Sequence, residues 1–425
     1  MSSLDLIFAS IAGNESAEVD LDKVEHVAEV TAEEAAEAVV EAEIKEIEAD
    51  VSELEKDVAS TETTVEALEE KVEELEEHID GMEAMASGAA PFNSALFAYH
   101  FNKGSKLAAR FGAPVEHVGA ESFADASTAN LAAFAGLEGM KEVAVKAGGA
   151  IKKFFVQLYN QFIALFTGLF NRLGGLQKKA GVVKTSVANG KVKEGKVALS
   201  GGAANLLDAK GSAGSAIPAI VSAIGDVTQI GGHNPLAGVQ RVISDLGKMG
   251  SKSSTNAGAD VAGVKIKVGA TTVVIVEPKD EKALSKTNWS VSVDGGAALK
   301  EVDALEKGAL SALCDSVASN AAKLQSAKLS SSSLTKQRDA AIAAAEAKAK
   351  KAGGEGDAAQ GEDKGSLAGV RAGHTAILKL SEKAVKFGGD ILAAQLQFVQ
   401  AHLGGKAAAP AEEKKDDKAE EKKED

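Results

Sequence analysis

Residues Ile44-Lys-Glu-Ile-Glu-Ala-Asp-Val-Ser-Glu-Leu-Glu-Lys-Asp-Val58 decide how this chain is read. Apolar residues recur at alternating steps of three and four. The series continues through Val65, Leu68, Val72, Leu75, Ile79 and Met82, interrupted at Thr61. That spacing draws one apolar stripe along a helix, with β-branched residues at heptad position a and mainly Leu at d, the combination that favours a parallel two-stranded coil. No Gly or Pro falls between Leu21 and Asp80, so a helix is expected over about 22–86. The flanking charges oppose a homodimer. In a parallel pair Glu43 would face Glu48, Asp50 would face Glu55 and Asp57 would face Glu62, and only Lys71 with Glu76 would attract. The stripe therefore suits another helix of the same chain or a basic partner. A solvated helix with one buried seam and a dedicated assembly helix both stand as readings.

Charge is divided along the chain. Residues 1–121 hold 30 Asp/Glu and 7 Lys/Arg, a net of −23, and the remainder holds 32 acids and 40 bases, a net of +8. The overall −15 hides this division, and such asymmetry points to different partners for the two parts. A length of 425 residues allows two to four domains. Aromatics are only 4%, so little area is buried per residue, and modest helical cores are expected rather than a large enzyme-like one. The single cysteine, Cys314, excludes an internal disulfide framework and sits in an apolar helical stretch that suggests a buried structural thiol. The first ten residues lack a basic region followed by a long apolar run, so no secretory signal is expected.

A second helical unit is expected at 87–112, around Phe92, Leu96, Phe97, Tyr99 and Phe101. Pro114 and two glycines then mark an accessible loop up to Ser127, the kind of segment a protease can bind in extended form. Residues 130–180 are the most hydrophobic. Within them 151–173 carries a wide apolar face (Phe154/Phe155, Leu158/Tyr159, Phe162, Leu165/Phe166, Leu169/Phe170) and a narrow polar one (Gln157, Asn160, Gln161, Thr167, Asn171). The polar stripe fits a bundle or interfacial amphipathic helix better than a membrane span. Between Lys141 and Lys196 eleven Lys/Arg stand against Glu142 and Glu194. Lys152, Lys153, Arg172, Lys178, Lys179 and Lys184 are the candidate DNA contacts. No base-reading motif accompanies them, so such binding would be non-specific. Gly174-Gly-Leu-Gln-Lys-Lys179 lacks the strand, spacing and Ser/Thr of a phosphate loop and reads as a helix C-cap.

Further on, short helices are expected at 213–229 and 236–248, and a loop at Ser251–Asp260. The period then changes to two: Val264–Val268, Thr271–Val276 and Trp289–Val293 read as a three-stranded β-meander, with the helix at about 297–327 available to cover one face. A further helix at about 333–351 and one at 366–403 follow, the latter open to a break at Gly388-Gly389. The fold class is thus mainly α with a small β-meander (α+β). Its expected parts are an acidic coiled-coil-like helical segment 1–121, a basic amphipathic helical segment 122–200, a small α+β domain 201–352 with the meander at 264–293, a linker and C-terminal helix 353–404, and a disordered charged tail 405–425. The seven histidines are scattered out of metal-ligand spacing, and no nucleophile–base pairing is visible. Neither an enzyme nor a metal or cofactor site is expected.

The junction carries a likeness. The acidic stretch ends in Gly119-Ala120-Glu121, followed by Ser122-Phe-Ala-Asp. Leu137-Glu-Gly-Met-Lys-Glu142 then opens a Lys/aromatic helix, Ile151-Lys-Lys-Phe-Phe through Leu173-Gly-Gly-Leu-Gln-Lys-Lys-Ala180. Over roughly residues 1–180 the chain resembles internal head (prohead core or inner-body) proteins of large contractile-tailed bacteriophages. The resemblance implies cleavage by a phage prohead protease after Glu121, with residues Gly119 to Ser122 as the processing site. It also implies loss of an acidic propeptide and a mature part kept in the capsid with the packaged DNA. Capsid or core proteins, and further copies of the chain, are the other implied partners, and host cytoplasm is the place of assembly. Val51-Ser-Glu53 and Ser60-Thr-Glu62 are look-alike triplets, and Gly136-Leu137-Glu138 is a secondary candidate for the cut. The competing readings are a membrane-associated coiled-coil scaffold and a pore former, both using 151–173.

Overall fold

The stretch free of Gly and Pro forms one helix, α1 (Leu21–Ala86). The computed structural model describes residues 21–86, 89–111, 126–227, 235–258, 261–326 and 365–404, together with 332, 334–340 and 343. After α1 comes α2 (Ser94–Arg110), opened by Asn93, whose side chain accepts a hydrogen bond from the Leu96 N–H at 3.1 Å. The next helix, α3 (Ala126–Asn189), runs 64 residues, about 96 Å at 1.5 Å per residue. It lies antiparallel along α1. The aromatic face of 151–173 is turned inward: Phe155, Leu158, Tyr159, Phe162, Leu165, Phe166, Leu169 and Leu173 are all buried. Among the described residues no helix is long and apolar enough to cross a membrane.

Two glycine pairs behave differently from their sequence reading. Gly174-Gly175 does not cap a helix, because α3 continues through both to Asn189. An interior helical glycine costs about 1 kcal/mol relative to Ala, and here it permits close approach of a neighbouring helix. Gly388-Gly389 does not break its helix either. Helix α8 (Gly365–Ala401) runs unbroken, with Gly388 against Leu324 and Ile220 and Gly389 against Arg172.

Between α3 and α8 the chain makes a small α+β unit. Strands β1 (Lys196–Ala198) and β6 (Glu301–Asp303) pair antiparallel and tie its two ends together. Inside that neck are α4 (Gly201–Leu206), α5 (Ala216–Val227), α6 (Pro235–Leu246) and a four-stranded antiparallel meander. The meander comprises β2 (Ser251–Gly258), β3 (Val261–Val268), β4 (Thr271–Val276) and β5 (Trp289–Val293). The expected loop at 251–260 is therefore mostly a strand. Ser-Lys-Ser-Ser-Thr-Asn has no apolar alternation because β2 is an exposed edge strand, held by pairing with β3 rather than by burial. One face of the sheet (Val264, Ile266, Val268, Val273, Ile275) is buried. The helix expected to cover it starts later, as α7 (Lys307–Ser326), and packs along α3 and α8 through Leu310, Cys314, Val317, Ala321 and Leu324. Burial pushes the Cys314 thiol up to about 11, as suits a structural cysteine.

One apolar core joins Ile44, Val51 and Val58 of α1 to α3, the sheet, α7 and α8. A second, smaller cluster joins the end of α1 (Leu75, Ile79, Met82) to Phe97, Phe101 and Leu107 of α2 and Met140 of α3. The expected helix at 333–351 is described only in part, and the tail 405–425 lies outside the described residues.

The β3–β4 turn yields a direct test. Gly269 has φ +60°, and a Cβ there would stand 2.7 Å from the Asn205 carbonyl oxygen and 2.9 Å from Leu206 C. Gly269→Ala should lower stability by about 2 kcal/mol, from left-handed strain plus a backbone shift. Gly295→Ala, with nothing within 4 Å, should stay within about 0.5 kcal/mol. Urea unfolding midpoints of the two variants read the difference.

Candidate functional site

The apolar knobs of α1 recur every seven residues, and so do the holes that receive them. A Cβ on Gly175 would stand 2.9 Å from Ile44 Cγ1, and one on Gly168 would stand 2.9 Å from Val51 Cγ2. The knobs at 44 and 51 meet glycines at 175 and 168, so the two heptads run antiparallel in register. Val58 and Val65 continue the buried series. The stripe thus spends its apolar face on helices of its own chain, which is one of the partners its charges allowed.

Beside the knobs runs a ladder of carboxylates. Glu41 meets Lys179 at 2.6 Å, and Glu43 meets Lys178 at 3.4 Å. Glu48 accepts from Arg172 Nε at 2.8 Å while Arg172 Nη2 donates to Asp390 at 2.8 Å. Gly389 leaves room for that guanidinium, since a Cβ there would stand 2.6 Å from Nη1. Glu55 takes Lys386 at 2.7 Å and Lys383 at 3.3 Å, and Glu62 pairs with Lys379. Gln400 donates to Glu37 at the far end of α8. The e-position residues Glu48, Glu55 and Glu62, which would repel in a homodimer, are each answered by a cation of α3 or α8.

Magnitudes separate the roles of knobs and ladder. Burying each of Ile44, Val51 and Val58 contributes roughly 1.5–3 kcal/mol as an upper bound. Each partly exposed ion pair contributes about 0–1 kcal/mol and weakens with salt. The apolar knobs hold the helix, and the charges select its partner and register.

The centre of the ladder is electrostatically strained. Burial raises Glu382 to about 7; the Lys383 charge opposes this, and the Glu55 carboxyl adds to it. Burial also pushes Glu55 upward, but hydrogen bonds with Lys386 and Glu382 and the charges of Lys383 and Lys386 prevail, so it lies below the usual range. The neutral partner in this carboxyl pair is therefore Glu382. Burial pulls Arg371 down to about 10 against the charges of Glu66 and Glu62. Nearby, the Tyr159 hydroxyl and His374 Nδ1 lie 2.8 Å apart, and burial pushes His374 down to about 4. At the other end of α1, His78 Nδ1 and His100 Nδ1 are 3.1 Å apart, and Gly81 makes room for the His100 ring.

The six basic residues singled out in the sequence do not form one patch. Arg172, Lys178 and Lys179 meet the acidic helix. Lys184 instead binds Asp315 of α7, at 2.7 and 2.8 Å. Lys153 is exposed, and the side chain of Lys152 lies outside the described set. The processing residues Gly119, Ala120, Glu121 and Ser122 also lie outside the described residues. Sequence reasoning missed Lys379, Lys383 and Lys386. Their spacing of four and three on one helix face, matched to carboxylates seven apart on α1, was the available signal. Among the described residues no group of three or more His, Cys, Asp or Glu is placed to hold a metal ion.

A family model described as phiKZ-like phage internal head proteins matches residues 39–408, a span that contains the seam from Glu41 onward. No curated protein and no solved structure matches the chain.

Two outcomes follow from the seam. Gly168→Ala and Gly175→Ala should each destabilise the chain and lower hydrogen-exchange protection over 41–62, because a β-branched knob must move. Gly181→Ala, on the same helix with nothing within 4 Å, should stabilise it by up to about 1 kcal/mol.

The second concerns pH. The folded pKa of Glu382 lies above its unfolded value, so its contribution is full below about 4.5 and is lost as pH rises through about 7. His374 works the other way: its contribution is present above 6.5 and lost as pH falls towards about 4. Glu382→Gln should therefore gain stability relative to the parent chain as pH rises from 5 to 8. Melting temperatures measured across that range, with the parent subtracted, isolate the effect.

Proposed function

We propose, from the premise that this chain belongs to the phiKZ-like phage internal head proteins, that it is made as a self-masked precursor and matured by proteolysis. The family places it inside the capsid of a phage and makes it a structural protein. The reading adds three points. The prohead protease cuts after Glu121; residues 1–121 act as an acidic propeptide; the part from Ser122 onward associates with packaged DNA without sequence preference. No catalysis is assigned to the chain.

The pairing of α1 carboxylates with Arg172, Lys179, Lys379 and Lys386 carries this reading. A propeptide that only lengthened the chain would have no reason to place its carboxylates against the cations of the remainder. The charge arithmetic agrees, since removing residues 1–121 turns a −15 chain into a +8 one. A product of that sign is drawn to dense phosphate through counterion release, with affinity that falls steeply with salt. The prohead protease, core or capsid proteins, further copies of the chain and DNA are the partners this reading requires. A membrane role for 151–173 has less support, because its aromatic face is already buried in the core.

Mass spectrometry of the protein from mature particles tests the cleavage. The expected N-terminus is Ser122. Full-length molecules beginning at Met1 in finished particles would overturn the reading.

A further inference from the structure

The acidic helix does not lie on open surface. Between Glu41 and Glu62 it fills a groove whose walls are α3 and α8, over 21 residues, about 32 Å of helix. That is close to one turn of B-DNA. The groove carries Arg172, Lys178 and Lys179 from one wall and Lys379, Lys383 and Lys386 from the other. The charge ladder alternates with apolar knobs seated on Gly168 and Gly175. Cutting the peptide bond after Glu121, far along the sequence from Glu62, breaks none of these pairings, so a cut by itself leaves the helix docked and the six cations paired.

The geometry points to a shared site: the α3–α8 groove binds the DNA backbone, and the docked acidic helix is its competitor, displaced by duplex DNA only after the covalent link is cut. This rests on the reading of the mature part as DNA-associating, and it assigns the surface and the control. While linked, the helix rebinds at the high effective concentration of an intramolecular partner. Once cut, it is a separate ligand diluted into solution, facing a polyanion with one charge per 1.7 Å of axis. Its own groove-facing carboxylates at 41, 48, 55 and 62 recur only every seven residues, about 10.5 Å. Phosphates present more charge to the same cations. Masking is then local competition for one groove and not a bulk effect of net charge, and Lys379, Lys383 and Lys386 become DNA contacts.

The test uses the full chain with a site-specific protease sequence placed across 119–122, cut to completion, with both pieces kept together. Two charge-matched variants are compared. One is Glu48→Gln/Glu55→Gln/Glu62→Gln, which removes groove-facing carboxylates. The other is Glu46→Gln/Glu53→Gln/Asp57→Asn, which removes exposed carboxylates elsewhere on the same helix. Amide replacements keep side-chain shape, and circular dichroism checks that both cut complexes stay helical. The probe is duplex DNA about three turns long at about 0.15 M salt, where charges beyond about 8 Å are screened.

The groove-facing variant should bind DNA about tenfold more tightly than the cut parent, and the other variant within about twofold. A labelled helix piece should leave as DNA binds. Equal gains for both variants, or DNA bound with the helix piece still in place, would overturn the shared groove while leaving DNA association standing. No DNA binding by the cut chain in any form would overturn the functional reading itself.

Discussion

A β-branched side chain can sit within contact distance of a neighbouring helix backbone only where that backbone carries no Cβ. Ile44 and Val51 occupy such places over Gly175 and Gly168, and most of the molecule's organisation follows from that approach. It brings α1 close enough to α3 for Glu41 and Glu48 to reach Lys179 and Arg172. Arg172 in turn spans to Asp390 beside Gly389, which sets where α8 lies. The lysines of α8 then fall in line with Glu55 and Glu62. Three helices far apart in sequence share one apolar core, and two glycines and one guanidinium fix how closely and in what register they meet.

Apolar and charged contacts divide the work in this seam. The knobs supply most of the attraction, and nothing in them distinguishes an acidic helix from any other heptad helix. The ladder adds little net energy in water yet penalises a partner of the wrong sign or register. The maturation proposed above requires both properties: a mask held firmly while linked, and one that another polyanion can replace. Glu382 is the exception that shows the constraint: burial, with a smaller contribution from the Glu55 carboxyl beside it, raises it to about 7.

The fold was largely legible because helix and strand periods are local. The heptad of α1, the amphipathic face of 151–173 and the alternation at 264–293 each name their element from a dozen residues or so. The errors came where a residue type has two uses. Glycines at 174–175 and 388–389 read as stops, yet they are points of close helix approach. The polar run at 251–258 read as a loop because an exposed edge strand needs no apolar alternation. Within the seam, Arg172, Lys178 and Lys179 stood out for their basic surroundings. Lys379, Lys383 and Lys386 did not, since their carboxylate partners lie more than 300 residues away.

The sequence by itself determined a long acidic helix with one apolar seam, a reversal of charge after it, and the poor match of that helix with its own copy. These are properties of spacing and sign, readable without coordinates. The tertiary structure alone decided what fills the seam, which cations answer which carboxylates, and that glycines seven apart receive the knobs. Register between helices 124 to 331 residues apart is set by packing and loop closure across the whole chain. No local window of sequence contains that information.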